Sequence, residues 1–331
     1  MWRRYVIAVV VLAALAAGVV VWRNTYDLRE EKVTIGALDA VLAMPTTSAR
    51  PVGLVVFVHG DGPVDAAHEG FYRPLWEAFA RAGYASLSWN KPGVAGSAGN
   101  WLDQTMADRA AEVTGAIAWA RARPDIDARR IGLWGASQAG WVMPKVAAGT
   151  PGIAFVIAMS PAVNWLQQGR FNLLAELRAR GASPAEIRAA VDRSDRERRL
   201  LDSGASYADY RREPDADPDL TADRWTFISR NYRSDATADL TAAANVPTLL
   251  LLGGHDTNVD VADTEAGYRA TLRAVLVRHY PEATHGMVRK SLEDSPVRLA
   301  LTGLFAPRSV FVTGVLADQA EFLTNLSPGT G

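Results

Sequence analysis

The stretch Ile131-Gly132-Leu133-Trp134-Gly135-Ala136-Ser137-Gln138-Ala139-Gly140 decides how this chain is read. An apolar run meets a serine set between very small residues, and a helix-compatible segment follows. This is the pattern of a strand that ends in a sharp turn and lifts a serine hydroxyl to the start of a helix. Small neighbours suit that turn. The backbone at the serine is strained, and larger side chains would strike the adjoining strand and helix. The usual spelling is G-x-S-x-G. Here the last position is Ala139, with Gly140 one residue later. A single methyl is the least bulk that a residue other than glycine adds.

Three further segments carry the same kind of signal. Leu54-Val55-Val56-Phe57-Val58-His59-Gly60-Asp61-Gly62 is an apolar strand closed by a His-Gly turn. Thr248-Leu249-Leu250-Leu251-Leu252-Gly253-Gly254-His255-Asp256 is another, ending at an acid. Arg278-His279-Tyr280-Pro281-Glu282-Ala283-Thr284-His285-Gly286-Met287 places a histidine shortly after a short strand. The order Ser137, Asp256, His285 is the chain order of a nucleophile, acid and base in one widespread fold. On these residues the chain resembles the α/β-hydrolase superfamily. In particular it is similar to serine esterases whose third strand ends in HGxG and whose next loop reads D-K-R-G-x-G-x-S. The matching loop here is Asn90-Lys91-Pro92-Gly93-Val94-Ala95-Gly96-Ser97, and Asn90 and Pro92 depart from the pattern. The resemblance spans roughly residues 30 to 325, apart from a variable insert. It implies a doubly wound, mostly parallel sheet and esterase-like activity.

The order of segments along the chain agrees with that architecture. Lys32 to Gly36 and Ala40 to Met44 read as an opening hairpin, and Pro45 to Pro51 as a loop. Leu54 to Val58 reads as a strand buried on both faces. Helix over Phe71 to Ala82, strand over Tyr84 to Trp89 and helix over Asp103 to Arg123 follow, the last with Met106, Ala110, Val113, Ile117 and Ala120 at helical spacing. Ile131 to Gly135 feeds the turn, one helix is expected from Ser137 to Ala148, and Ile153 to Ser160 is an apolar strand. This alternation argues for parallel strands with helical crossovers. It breaks at about residues 161–244, where Leu166 to Arg180, Pro184 to Ser203, Ala205 to Arg212 and Asp223 to Tyr232 read as charged helices. Such an insert looks like a cap over an active site. Val261 to Leu272, Ala274 to Tyr280 and Pro307 to Leu323 then read as helix, strand and closing helix. The expected organisation is a segment at residues 1–26 and a hydrolase domain at 27–331 that carries the insert.

Composition narrows the function classes. The chain has 331 residues, a net charge of −1 and no cysteine. It can bury a substantial core. Near-neutral charge gives no reason to expect a nucleic-acid partner. Without cysteine there is no thiolate nucleophile, thiolate metal site or disulfide. No H-E-x-x-H, P-loop or dinucleotide-binding context appears, so neither metal nor cofactor is expected. At the start, Tyr5 to Trp22 is apolar and uncharged between Arg3-Arg4 and Arg23. It is about as long as a membrane-spanning helix needs, and Trp2, Tyr5 and Trp22 suit the two interfaces. An uncleaved single-pass anchor is expected, with the domain outside the cytoplasm. The alternative is a signal cleaved near Ala14-Leu15-Ala16.

The chemistry follows from side-chain types. A serine hydroxyl needs a base to take its proton as it attacks. Of five histidines, His285 lies in a loop next to Gly286, where a side chain can swing over the sheet edge. His59 reads as structural in its turn, His68 as a solvated loop residue, His255 as a loop residue and His279 as a strand residue. Asp256 is the expected third member, holding one imidazole nitrogen protonated. Asp260 precedes a helical run and reads as its N-cap. The expected oxyanion donors are the backbone N–H groups of Gln138 and Asp61, with the Asp61 carboxylate turned away. Lys91 and Ser97 read as loop-shaping. The expected substrate is a small ester or related acyl compound. A thioesterase, an amidase or an aminopeptidase-like enzyme would use the same constellation, and a catalytically silent, membrane-tethered binding module is the alternative of another class.

Overall fold

One sheet dominates the computed structural model, which describes residues 2–47 and 51–326. Its strands are β1 (Leu28–Ile35), β2 (Leu38–Pro45), β3 (Val52–Val58), β4 (Tyr84–Trp89), β5 (Ile126–Ala136), β6 (Val156–Met159), β7 (Thr248–Gly253) and β8 (Val275–Tyr280). They lie in the order β1-β2-β4-β3-β5-β6-β7-β8. β1 with β2 and β2 with β4 are antiparallel, and all later pairs are parallel. Period two along each strand sends alternate side chains to opposite faces. Leu54, Val56 and Val58 of β3 enter one core, and Val55 and Phe57 the other. In β7, Leu250 and Leu252 divide from Leu249 and Leu251 in the same way. Both faces are covered, which is why these strands read as unbroken apolar runs.

The helices are α1 (Trp2–Arg23), α2 (Arg73–Arg81), α3 (Met106–Arg121), α4 (Met143–Gly149), α5 (Trp165–Ala179), α6 (Pro184–Asp202), α7 (Tyr207–Tyr210), α8 (Ala222–Asn231), α9 (Thr237–Ala242), α10 (Val261–Thr271), α11 (Lys290–Glu293), α12 (Pro296–Phe305) and α13 (Val315–Asn325). After β4 the chain returns to the other side of β3 to build β5. The loops leaving β3 and β5 therefore diverge at a switch point, where open α/β sheets place their ligands. A Cβ at Gly60 would lie 3.6 Å from the Cβ of Ser137, so the two loops touch there.

Several boundaries differ from the sequence reading. The helix expected from Asp103 starts at Met106, because Thr105 and Asp108 form a capping box and Trp101–Asp103 is a separate 3₁₀ turn. The single helix expected from Ser137 to Ala148 is a 3₁₀ turn, Ser137–Trp141, followed by α4. Pro144 has no N–H to continue the ladder and starts a new helix instead. The closing helix begins only at Val315, after Gly314 at φ +96°. α9, α11 and α12 were not expected. α9 ends the insert but sends Leu240 into the core beside α4 and α10. The loop expected over Pro45 to Pro51 falls partly on residues 48–50, outside the described residues.

α1 is long and apolar enough to cross a bilayer, and the domain does not bury it. Length and composition fit either an anchor or a signal sequence. Its exit is held by an ion pair between a buried carboxylate and a half-buried guanidinium. Glu77 of α2 is 2% exposed and accepts two hydrogen bonds from Arg308, at 2.6 and 2.9 Å, and one from the Asp27 N–H at 3.2 Å. Burial alone would push the Glu77 carboxyl up; the Arg308 hydrogen bonds, the Asp27 N–H and the Arg308 charge outweigh it and hold the group below its usual range. A carboxylate depressed on folding stabilises the protein above its unfolded pKa, near 4.3 for glutamate, and that contribution disappears as pH falls through the folded value. Glu77→Gln is expected to cost about 1–3 kcal/mol at pH 7, the range for losing hydrogen bonds to a charged group. Its stability should also fall less steeply than the parent's below about pH 5. Denaturant midpoints measured from pH 7 down to pH 3 check both. Parallel curves would remove Glu77 from the acid response.

Candidate active site

Ser137 directly follows β5 with φ +55°, in the left-handed region that non-glycine residues rarely occupy. The crowding around it explains the spelling of the motif. A Cβ at Gly135 would lie 2.6 Å from the Ala139 methyl and 2.8 Å from the Val58 carbonyl oxygen. A Cβ at Gly140 would lie 2.2 Å from the Ala162 oxygen. Ala139 is tolerated at the last motif position because its methyl covers the bare Gly135. Gly135 and Gly140 are the two positions where no Cβ fits. The Ala162 N–H donates to the Ser137 carbonyl at 3.0 Å and ties the turn to the loop after β6.

A second glycine pair joins the acid and histidine loops. Added Cβ atoms at Gly253 and Gly254 would each lie 2.6 Å from backbone oxygens, of Thr284 and Pro281 respectively. The His255 N–H donates to the Ala283 carbonyl at 2.8 Å. This contact brings Asp256 and His285 together. The Asp256 carboxylate is buried, and Oδ1 accepts from the N–H groups of Asn258 and Val259 at 2.8 and 2.9 Å. Oδ2 lies 2.8 Å from His285 Nδ1. With both acceptors spoken for, the carboxylate cannot turn away, and it selects the imidazole tautomer that carries its proton on Nδ1. His285 Nε2 is buried and has no partner among the described residues. The Ser137 hydroxyl has no hydrogen bond among them either. Asp260 caps α10, accepting from Ala262 and Asp263, and stands apart from the pair.

Beneath the β3 loop lies a polar network, buried at Arg109, Lys91 and Gln138, that the sequence reading did not anticipate. Arg109 of α3 is 5% exposed. It donates to the Gln138 side-chain oxygen and to the His59 carbonyl. Gln138 Nε2 donates to Asp61 at 3.0 Å. Arg224 of α8 pairs with the same carboxylate through two hydrogen bonds, at 2.6 and 2.9 Å. Lys91 Nζ donates to the carbonyls of Gly60 and Gly62 at 2.6 and 2.8 Å. Burial pushes Lys91 well down. Burial would push the Asp61 carboxyl up, but hydrogen bonding and charge from Arg224 hold it below its usual range. Arg224 alone pairs with the Asp61 carboxylate, while Arg109 and Lys91 brace the backbone and the Gln138 side chain around it. The Asp61 N–H has no acceptor among the described residues, and the Gln138 N–H opens a helical turn, where the first N–H groups lack internal partners. The one available signal for Arg109 was its place three residues after Met106, on the apolar face of α3.

Three of the other histidines have partners of their own. His59 is buried, with Nε2 donating to the Trp89 carbonyl at 2.6 Å and Nδ1 accepting from Tyr72 Oη at 3.1 Å. Burial, then the Lys91 charge, push its pKa down to about 3, so the ring is neutral. His279 lies in β8, 2.8 Å from Glu265. His68 is exposed but packs against the rings of Phe71 and Tyr72 rather than standing free. Ser97 reaches Asp39 at 3.4 Å. Among the described residues no group of His, Asp or Glu side chains is placed to hold a metal ion.

The family model described as Serine aminopeptidase, S33 matches residues 49–291, and the chain belongs to that family. The same fold recurs in solved structures. An esterase of Pyrococcus furiosus superposes with a TM-score of 0.54 at 14% identity, over 91% of this chain and 91% of that one. Est1E of Butyrivibrio proteoclasticus, with ferulic acid bound, gives 0.53 at 17% identity, over 83% and 99%. DcsB, in complex with a substrate analogue, gives 0.57 at 14% identity, over 92% and 100%. No curated protein matches the sequence. The chain has the α/β-hydrolase fold.

Arg109 should be the stability keystone of this region. Arg109→Leu strands the Gln138 and His59 oxygens without a donor. A loss of about 1–3 kcal/mol is expected for each stranded acceptor. Arg109→Lys, with one point charge in place of a fork, should recover part of it. Urea denaturation of the three proteins measures this. Equal stability of the leucine variant and the parent would show that the network carries no load.

Proposed function

We propose that this hydrolase-family protein is a serine esterase that works through an acyl-enzyme, with Ser137 as nucleophile, His285 as base and Asp256 as the residue that orients it. The reading is carried by one observation: His285 is bound to Asp256 through Nδ1, while its Nε2 is buried and unpartnered. The only open position on the ring is the one a general base uses. Ser137, Asp256 and His285 all follow carboxyl ends of parallel strands, on one edge of the sheet. Serine–histidine hydrogen bonds commonly tighten only when substrate arrives.

In this mechanism Ser137 Oγ attacks the ester carbonyl carbon as His285 Nε2 takes its proton. The Asp256 carboxylate stabilises the imidazolium. The carbonyl oxygen becomes an oxyanion and accepts from the backbone N–H groups of Asp61 and Gln138. Arg109 and Lys91 hold the two segments that supply these groups. The tetrahedral intermediate collapses, the alcohol leaves with the proton from Nε2, and water repeats the sequence to release the acid. The helices between β6 and β7 form a cap, joined to the β3 loop through Arg224 and Asp61. Residues 1–26 anchor the enzyme in a membrane, with the domain outside the cytoplasm. No metal or cofactor enters the chemistry.

The test is fluorophosphonate labelling together with turnover of p-nitrophenyl esters from acetate to palmitate. The full chain should label and turn over, and Ser137→Ala should do neither. Asp256→Asn should lower kcat by about 10³–10⁴-fold, because the wrong tautomer then faces the serine. Asp260→Ala should keep its activity and lose only about 1 kcal/mol of helix-cap stability. An intact protein that neither labels nor hydrolyses would support the binding module. Labelling without ester turnover, but with cleavage of an aminoacyl p-nitroanilide, would move the assignment to the aminopeptidase chemistry in the family's description.

A further inference from the structure

Helix α12 breaks the rule that the other long helices of the domain obey. Its sequence, Pro-Val-Arg-Leu-Ala-Leu-Thr-Gly-Leu-Phe, carries a single charge, Arg298, yet none of its residues is buried. Val297, Leu301 and Leu304 are 69%, 52% and 47% exposed. Their spacing of four and three residues puts them on one face. The opposite side does not rest on packed core either. It borders a cavity of about 640 Å³ that Tyr26, Phe71, Val288, Leu299 and Phe311 help to line. A helix in water normally turns such a stripe inward.

The neighbour of α12 indicates what covers it. Asn24, one residue past the end of α1, donates from Nδ2 to the Leu304 carbonyl at 2.8 Å. Arg308, just beyond α12, donates to the carbonyls of Arg23 and Thr25 at 2.7 and 2.9 Å and is itself held by Glu77. The end of α12 is therefore fixed at the level where the apolar run of α1 stops. That level is marked by Trp22, 67% exposed, with the Arg23 guanidinium over its ring at 4.7 Å. Trp with Arg at the end of an apolar span marks a membrane–water interface. The exposed surface of α1 and the exposed stripe of α12 are thus adjacent apolar surfaces meeting at interfacial depth.

We infer that α12 is an in-plane membrane helix: its Val297–Leu301–Leu304 face enters the headgroup–acyl boundary of the same bilayer that α1 crosses. The inference rests on the reading of α1 as an uncleaved anchor. Two attachments, one spanning and one lying flat, hold the domain against the membrane in one orientation instead of leaving it on a swivel. Arg298 reaches back to the headgroups along its own aliphatic stem. Helices of this kind bind through buried apolar area on one face.

The absence of native cysteine makes the test direct. Leu301→Cys, Leu12→Cys and Arg188→Cys are each made in the full chain, labelled with an environment-sensitive nitrobenzoxadiazole dye and reconstituted in phosphatidylcholine vesicles. The lipids carry a nitroxide at a shallow or a deep acyl position. The dye at Leu301 should emit at shorter wavelength than at Arg188 on α6, and the shallow nitroxide should quench it several-fold more strongly. Leu12 should be quenched best by the deep nitroxide. If Leu12 is quenched while Leu301 behaves like Arg188, α1 spans and the docking of α12 is wrong. Blue-shifted but unquenched emission at Leu301 would mean that a second copy covers the helix, which also overturns the inference. If Leu12 is not quenched, the anchor reading fails and takes the inference with it.

Discussion

The left-handed backbone at Ser137 is the constraint around which the rest is arranged. A non-glycine residue held there stores about 1–3 kcal/mol of strain, and only an over-determined surrounding keeps it in place. That surrounding consists of close approaches. Gly135 lets Ala139 and β3 come in, Gly140 lets the Ala162 backbone come in, and the Ala162–Ser137 hydrogen bond closes the turn. The result is a hydroxyl raised above the sheet at the switch point between β3 and β5. The helical ladder is sacrificed next to it, where the 3₁₀ turn at Ser137–Trp141 leaves early N–H groups open.

The support for the facing loop is electrostatic rather than apolar. Placing Arg109 and Lys91 in the interior is tolerable only because their donors meet carbonyls and a side-chain oxygen of the very segments they brace. Arg109 spans from His59 to Gln138 and so couples the β3 loop to the residue after the serine. Asp61 extends the same network to α8 through Arg224. The helical insert is thereby connected to the loop beside the serine by charge-assisted hydrogen bonds, and a movement of α8 would be felt at Asp61.

Much of this was legible without coordinates, for physical reasons. Strands β3 and β7 announced themselves because burial on both faces leaves a run of apolar residues. Ser137 and Asp256 stood out because each follows such a run in a turn of small residues, and His285 because it lies in a loop after a short strand, next to Gly286. Asp260 was separable from Asp256 because a helix start has its own chemistry, and it caps α10 as expected. Local signals also misled where two of them overlapped. The apolar stretch after Ser137 suggested one helix, and Pro144 split it. The stretch from Pro307 suggested another, and Gly314 delayed its start.

The sequence by itself determined the strand–helix alternation, the serine turn, the order of the three candidate residues and the apolar first segment. These are properties of contiguous residues, encoded in period, turn chemistry and small side chains. Only the tertiary structure decided that Asp256 meets His285 and leaves its Nε2 free, that Arg109 and Arg224 converge on Gln138 and Asp61, and that α12 lies bare beside the exit of α1. Those partners are separated by 29 residues for Asp256 and His285, 29 for Arg109 and Gln138, and 163 for Arg224 and Asp61. A contact across such distances depends on how the sheet orders its strands, and no local pattern of residues carries that information.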